Sequence, residues 1–134
     1  MSDMPKVMQT LCFSNLRIAN VKRLESTPKF QKCIDWTPSQ WLQALVGELG
    51  GLANKMKKVD RGDYINMPID GQAEVQQKLK DEIADVQIYL DLLADKLGID
   101  LGSATISKFN EVSIRVGSAI SIGHDGQVYY LPED

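Results

Sequence analysis

QAEVQQKLKDEIADVQIYLDLLADKL, residues 72–97, is the stretch whose reading decides the fold. Val75, Leu79, Ile83, Val86, Leu90, Leu93 and Leu97 recur in it at spacings of four, four, three, four, three and four. An α-helix completes a turn in about 3.6 residues, so apolar residues at this spacing share one face. The pattern predicts a helix from about Gln72 to Leu97. Gly98 is a fitting stop, because glycine readily takes the left-handed conformation past a helix end. Glu82, Asp85 and Tyr89 stand at three- and four-residue spacing immediately beside the apolar stripe.

Working backward, a second helix announces its own start. Thr37 suits the N-cap, Pro38 the first helical position, and Gln40 completes a capping box. Leu42, Leu45, Leu49, Leu52, Met56 and Val59 then predict a core-facing stripe. Arg61-Gly62-Asp63 ends this helix, and the triplet reads as a helix stop rather than an adhesion motif. Asp60 to Gly71 reads as a connecting loop punctuated by Pro68 and Gly71. Further back, Leu16, Ile18, Ala19 and Val21 among basic residues predict a helix near Ser14 to Glu25. Ser26-Thr27-Pro28 breaks it, and a loop with Phe30 and Trp36 follows. Forward of Gly98, a shorter helix is expected from Leu101 to about Arg115, with Asp100 as cap and Gly117 as stop. Ala119 to Tyr130 alternates weakly around Gly123-His124-Asp125-Gly126, predicting a hairpin or an extended arm.

The expected fold class is therefore all-α, an antiparallel bundle of about four helices. Residues 1–134 form one domain, with 119–134 as its tail. Trp41 and Leu45 on one long helix, and Tyr89 and Leu92 on the other, broaden the apolar faces beyond what so small a bundle can cover. A homo-oligomer, dimer or tetramer, is expected to hide the remainder.

Composition narrows the functional classes. Hydrophobic residues at 43% and charged residues at 25% are ordinary for a globular domain. Fifteen basic against eighteen acidic residues give a net charge of −3, which argues against a partner such as a nucleic acid polymer. No segment reaches eighteen apolar residues, so no membrane span is expected. Cys12 and Cys33 have neither disulfide-framework nor zinc-ligand spacing, and the beginning of the chain does not read as a secretory signal. Cytoplasmic localisation is expected.

The chemistry lies in the carboxylates. Glu48 sits within Ala44-Leu45-Val46-Gly47-Glu48-Leu49-Gly50-Gly51-Leu52, among apolar neighbours that predict burial. If the two long helices pack antiparallel, Glu48, Glu82 and Asp85 converge. Gathered carboxylates are costly unless a positive charge neutralises them. A hard divalent ion such as Mg²⁺, with Mn²⁺ as a substitute, takes oxygen ligands of this kind. The competing reading is a solvated helix face in which the three acids pair with lysines. Trp36 and Trp41 suit stacking on a base or a place in the core. Asn15, Arg17 and Asn20 offer polar contacts to a base, a solvated face being the favoured reading, and His124 carries no assigned chemistry.

In combination these segments resemble the MazG-like all-α nucleoside triphosphate pyrophosphohydrolases, which include the dCTP pyrophosphatases. Residues 44–52 resemble that group's E-x-x-E motif and Asp81-Glu82-Ile83-Ala84-Asp85-Val86 its E-x-x-D motif. Lys57-Lys58-Val59-Asp60-Arg61-Gly62-Asp63, Tyr89 to Ala94 and Lys108-Phe109-Asn110 are similar to further segments, and the likeness runs over about residues 36–117. The resemblance implies Mg²⁺-dependent cleavage of a (deoxy)nucleoside triphosphate to monophosphate and pyrophosphate, in nucleotide-pool cleansing. It implies Glu48, Glu82 and Asp85 as metal ligands and catalytic residues, and Tyr89, Lys55, Lys58, Lys108 and Arg115 as nucleotide contacts beside Trp41. Gly51 departs from the pattern, standing where the second glutamate is expected. Removing one carboxylate from four predicts weaker Mg²⁺ binding, by about an order of magnitude. A catalytically silent nucleotide-binding protein and a helical interaction module are the alternatives. Gly47 and Gly50 are expected where helices approach closely.

Overall fold

The computed structural model describes residues 10–65 and 67–131, with the side chains at 69 and 70 outside that description. In chain order the elements are α1 (Phe13–Ser26), a 3-10 turn (Pro28–Cys33), α2 (Pro38–Asp60), α3 (Ile69–Lys96), α4 (Leu101–Val116), β1 (Ile120–Ile122) and β2 (Val128–Tyr130). The fold is all-α apart from this terminal hairpin. No described helix is long and apolar enough to cross a membrane.

Helix starts follow the capping chemistry. Thr37 accepts a hydrogen bond from the Gln40 amide at 3.2 Å, and the Gln40 side chain accepts from the Thr37 amide at 2.9 Å. Two otherwise orphaned amides are thereby satisfied at the head of α2. Asp100 accepts from the Ser103 amide at 3.0 Å, and α4 ends at Gly117 with φ +74°. The expected loop from Asp60 to Gly71 is shorter than its punctuation implies. Pro68 is the N-cap of α3, so Gly71 lies inside the helix. Proline there removes no bond, since the first helical amides lack intrahelical partners. Arg61 caps α2, Gly62 takes φ +77°, and the Arg61 guanidinium donates to Asp63 at 2.7 Å, as a helix stop requires.

Contacts along α2 and α3 set their antiparallel packing. Trp41, Glu48 and Lys55 run up one helix and meet Tyr89, Asp85 and Glu82 running down the other. On another side α3 packs against α1, where Leu24, Cys33, Trp41 and Leu92 form the buried cluster. The deepest positions of α3 are Asp91, Leu92 and Ala94, outside the stripe that revealed the helix. That stripe serves partly as surface, with Ile83 and Leu97 exposed. The α2 stripe is barer still: Leu45 is buried, whereas Leu42, Leu49, Met56 and Val59 are exposed.

Among the described residues Asp91 is the most enclosed side chain, 1% exposed. It accepts from Arg17 Nε at 3.1 Å and from Asn20 Nδ2 at 2.9 Å, which pins α1 to α3. Arg17 also donates to the Ile99 carbonyl at 3.0 Å, tying in the turn before α4. Arg17 and Asn20 are thus structural, against the expectation of a solvated face. The tail is a hairpin, with Ile120 opposite Tyr130 and Ile122 opposite Val128. Asn110 on α4 clamps it through both the amide and the carbonyl of Ile122, each at 2.8 Å. Cys12 and Cys33 are free thiols.

Candidate active site

Glu48 projects from α2 toward α3, where Glu82 and Asp85 project back. All three are half-buried. The apolar neighbours of Glu48 shield it less than the sequence implies, because Val46 and Leu49 are exposed. The Glu48 carboxyl is nonetheless held above its ordinary range. Partial burial is the first cause, the charges of Asp85 and Glu82 the next, and Lys55 opposes them. Like charges brought near one another make ionisation harder.

Among the described residues the cation in contact is Lys55, whose ammonium pairs with Glu82. Glu48 and Asp85 have no ion-pair partner among the described residues. Gly51 lies under the same carboxylate: a Cβ at 51 would stand 3.2 and 3.3 Å from the Glu82 oxygens. The gap in the motif therefore has a local consequence, in that the Glu82 head group rests against the glycine backbone. A side chain at 51 would have to displace only the end of a flexible glutamate. Gly47 and Gly50 meet nothing within 4 Å, so close helix approach within the chain does not account for them.

Beside the carboxylates opens an apolar cavity of about 250 Å³, lined by Phe30, Trp36, Trp41, Ile88 and Tyr89, with Asp85 in its wall. Trp36 stacks edge-on against Trp41 at 4.7 Å between ring centroids, and Trp41 lies 6.0 Å from Tyr89. Trp41 is 3% exposed, and its indole N–H has no hydrogen-bond partner in the described structure. A buried donor without an acceptor costs free energy of about 1–3 kcal/mol. The Tyr89 phenol is raised by burial and then by the charges of Glu48 and Asp85, so at neutral pH it keeps its proton. Cys33 also lines this cavity, although nothing in the sequence suggests a thiol near the carboxylates.

Lysines bound the opposite side. Lys55 and Lys58 line a second cavity of about 200 Å³ together with Tyr64 and Lys78. The expected nucleotide contacts on α4 are not brought here within the chain. Lys108 pairs with Glu111 at 3.1 Å on an exposed face, and Arg115 lies exposed in the last turn. Helix α4 packs against α1 and β1, which holds both residues away from the α2–α3 pair. Sequence reasoning missed Phe30 and Ile88 in the aromatic cavity, and Tyr64 and Lys78 in the basic one. Only Lys78 left a signal, standing four residues before Glu82 on the same helical side.

The donor set suits a hard divalent ion in kind. Glu48, Glu82 and Asp85 supply oxygen alone, and two of the three lack a counter-charge. Among the described residues no three acidic, histidine or cysteine groups stand at ligating distance of a common point.

No protein-family model matches the chain. The chain is similar to dCTP pyrophosphatase 1 of Rattus norvegicus, with 34% identity over 97 residues. That alignment takes in 69% of this chain and 55% of the rat protein, so the chain spans about half the length of this curated relative.

Proposed function

We propose that the chain is a Mg²⁺-dependent pyrophosphohydrolase that cleaves a (deoxy)nucleoside triphosphate between its α- and β-phosphates. The supporting observation is that Asp85 belongs to two sites at once, the wall of the aromatic cavity and the cluster with Glu48 and Glu82. A base seated among Trp36, Trp41 and Tyr89 would present its phosphates to those carboxylates. The likeness to a dCTP pyrophosphatase supports the same substrate class.

Glu48, Glu82 and Asp85 would hold the ion, which supplies neutralisation of charge on the phosphates. One of the carboxylates orients the attacking water. Lys55 and Lys58 stabilise charge building on the departing oxygens. Tyr89 contributes a donor at the edge of the base pocket. The exposed apolar residues Leu42, Val46 and Leu49 on α2 support self-association, expected as a dimer or tetramer. Sedimentation showing only monomer at micromolar concentration would contradict it.

Incubation with a nucleotide panel and Mg²⁺ or Mn²⁺ tests the reaction. Release of pyrophosphate is expected; orthophosphate alone, or no turnover even in the Gly51→Glu variant, would overturn it. A second reading, a nucleotide-binding protein without turnover, draws on Gly51 and on the Lys55–Glu82 pair. Tight nucleotide binding indifferent to metal would select it.

A further inference from the structure

We infer that Asn20 on α1 selects the base. Its side-chain carbonyl accepts from an exocyclic amino group, so amino bases are taken over their keto counterparts. The inference rests on the seating of a base in the aromatic cavity proposed above and adds which edge of that base is read. Asn20 is 4% exposed and lines the cavity. Its amide nitrogen is engaged twice, donating to Asp91 Oδ2 at 2.9 Å and to the Ile88 carbonyl at 3.4 Å. Both partners are acceptors, and Asp91 receives Arg17 Nε at 3.1 Å on its other oxygen. The amide is therefore fixed in one sense, with its oxygen turned away from Asp91. That oxygen takes no hydrogen bond among the described residues. It is not sealed off either, because among those residues Trp41 Nε1 alone is both buried and without a partner. The open space against Asn20 is the aromatic cavity. An acceptor held in place by a buried ionic network and open to a cavity is preorganised to receive a donor.

The position of Asn20 along α3 decides which part of a base it meets. Asp85 belongs both to the cavity wall and to the carboxylate cluster, so sugar and phosphates lie at that end. Ile88 and Asp91, which hold Asn20, come three and six residues later on α3, about 5 and 9 Å along the axis. Asn20 thus stands at the end of the cavity away from the acids. The pyrimidine position opposite the glycosidic bond carries an amino group in cytosine and a carbonyl in uracil. The amino group gives Asn20 its missing donor. A carbonyl there sets two acceptor oxygens against each other and leaves both unpaired, which disfavours binding. The ring nitrogen beside the amino group is an acceptor, and it suits the unpartnered Trp41 N–H in the same wall. In uracil that nitrogen carries a proton, so the second match is lost with the first.

Calorimetric titration of the metal-free wild type with dCMP and with dUMP tests this, since the two share sugar, phosphate and ring size. About tenfold tighter binding of dCMP is expected. Equal affinities, or no binding of either at millimolar concentration, would overturn the inference. So would tighter dUMP binding, which would give the reading to Arg23, the cation in the cavity wall. Asn20→Ser keeps a hydroxyl donor for Asp91 and removes the outward carbonyl. Its ratio of dCMP to dUMP affinity should fall to about one. A merely structural role would weaken both ligands alike and keep the ratio, and a ratio kept in the folded variant would count against Asn20. If Asn20→Ser does not fold, the wild-type ratio still decides. Because binding is read without metal or turnover, the two proposals separate. A preference for dCMP without pyrophosphate release removes the reaction and leaves Asn20 its role, whereas pyrophosphate release at equal kcat/KM from dCTP and dUTP does the reverse.

Discussion

On its α1 side, α3 carries Asp91, 1% exposed and bonded to both Arg17 and Asn20. On its α2 side the same helix carries Glu82 and Asp85, facing Glu48, with Lys55 the one cation in contact among the described residues. The first carboxylate is more deeply buried, yet its charge and its hydrogen bonds are matched. The second group is less buried and carries more negative charge than its surroundings neutralise. Burial alone therefore does not separate the two groups; unmatched charge does. A matched carboxylate holds elements together, and an unmatched set is poised for something to arrive.

The largest effect separating the two regions belongs to Asp91. Asp91→Ala removes the buried partner of a half-buried guanidinium and a buried amide, and is expected to cost about 3 kcal/mol in urea unfolding. A loss under about 1 kcal/mol, the scale of an exposed pair, would erase the distinction.

Gly51→Glu is next. Adding a fourth carboxylate should lower the melting temperature without metal and tighten Mg²⁺ binding by about tenfold, read by titration. Equal Mg²⁺ affinity in the two proteins would show that position 51 does not face the ion.

Glu48→Gln is the subtler probe. Because the folded state raises the Glu48 pKa above its ordinary 4.5, that state binds the proton more tightly than the unfolded chain. Stability from this group is thus fully present below pH 4.5 and declines as pH rises through the raised value. Metal-free Glu48→Gln should match the wild type near pH 4 and melt higher at neutral pH. A variant less stable at neutral pH would mean that Glu48 is neutralised by a partner after all.

The fold was largely legible because its signals are local. The Thr37 capping box, the Asp100 cap, the Gly117 stop and the three-four stripes each depend on residues within a turn or two. The start of α3 was misplaced by three residues, because Pro68 and Gly71 are punctuation that an N-terminal first turn tolerates. The carboxylates were legible as candidates since each stands beside a stripe, and antiparallel packing then brings them together. The rest depended on contacts distant in sequence. Asp91 meets Arg17 across 74 residues, and neither stands apart in its own helix. Lys108 and Arg115 followed Lys55 and Lys58 as candidate phosphate contacts, since an isolated cation carries no mark of where its helix packs. The packing of α4 against α1 and β1 keeps them apart from the α2–α3 carboxylates within the chain.

Thermal melting with increasing Mg²⁺, on the wild type and on a Glu48→Gln, Asp85→Asn double variant, tests most directly whether the unmatched carboxylates receive a cation. The wild type is expected to melt progressively higher as Mg²⁺ rises, while the double variant starts higher and does not respond. A wild type indifferent to Mg²⁺, or a double variant that responds equally, would contradict it.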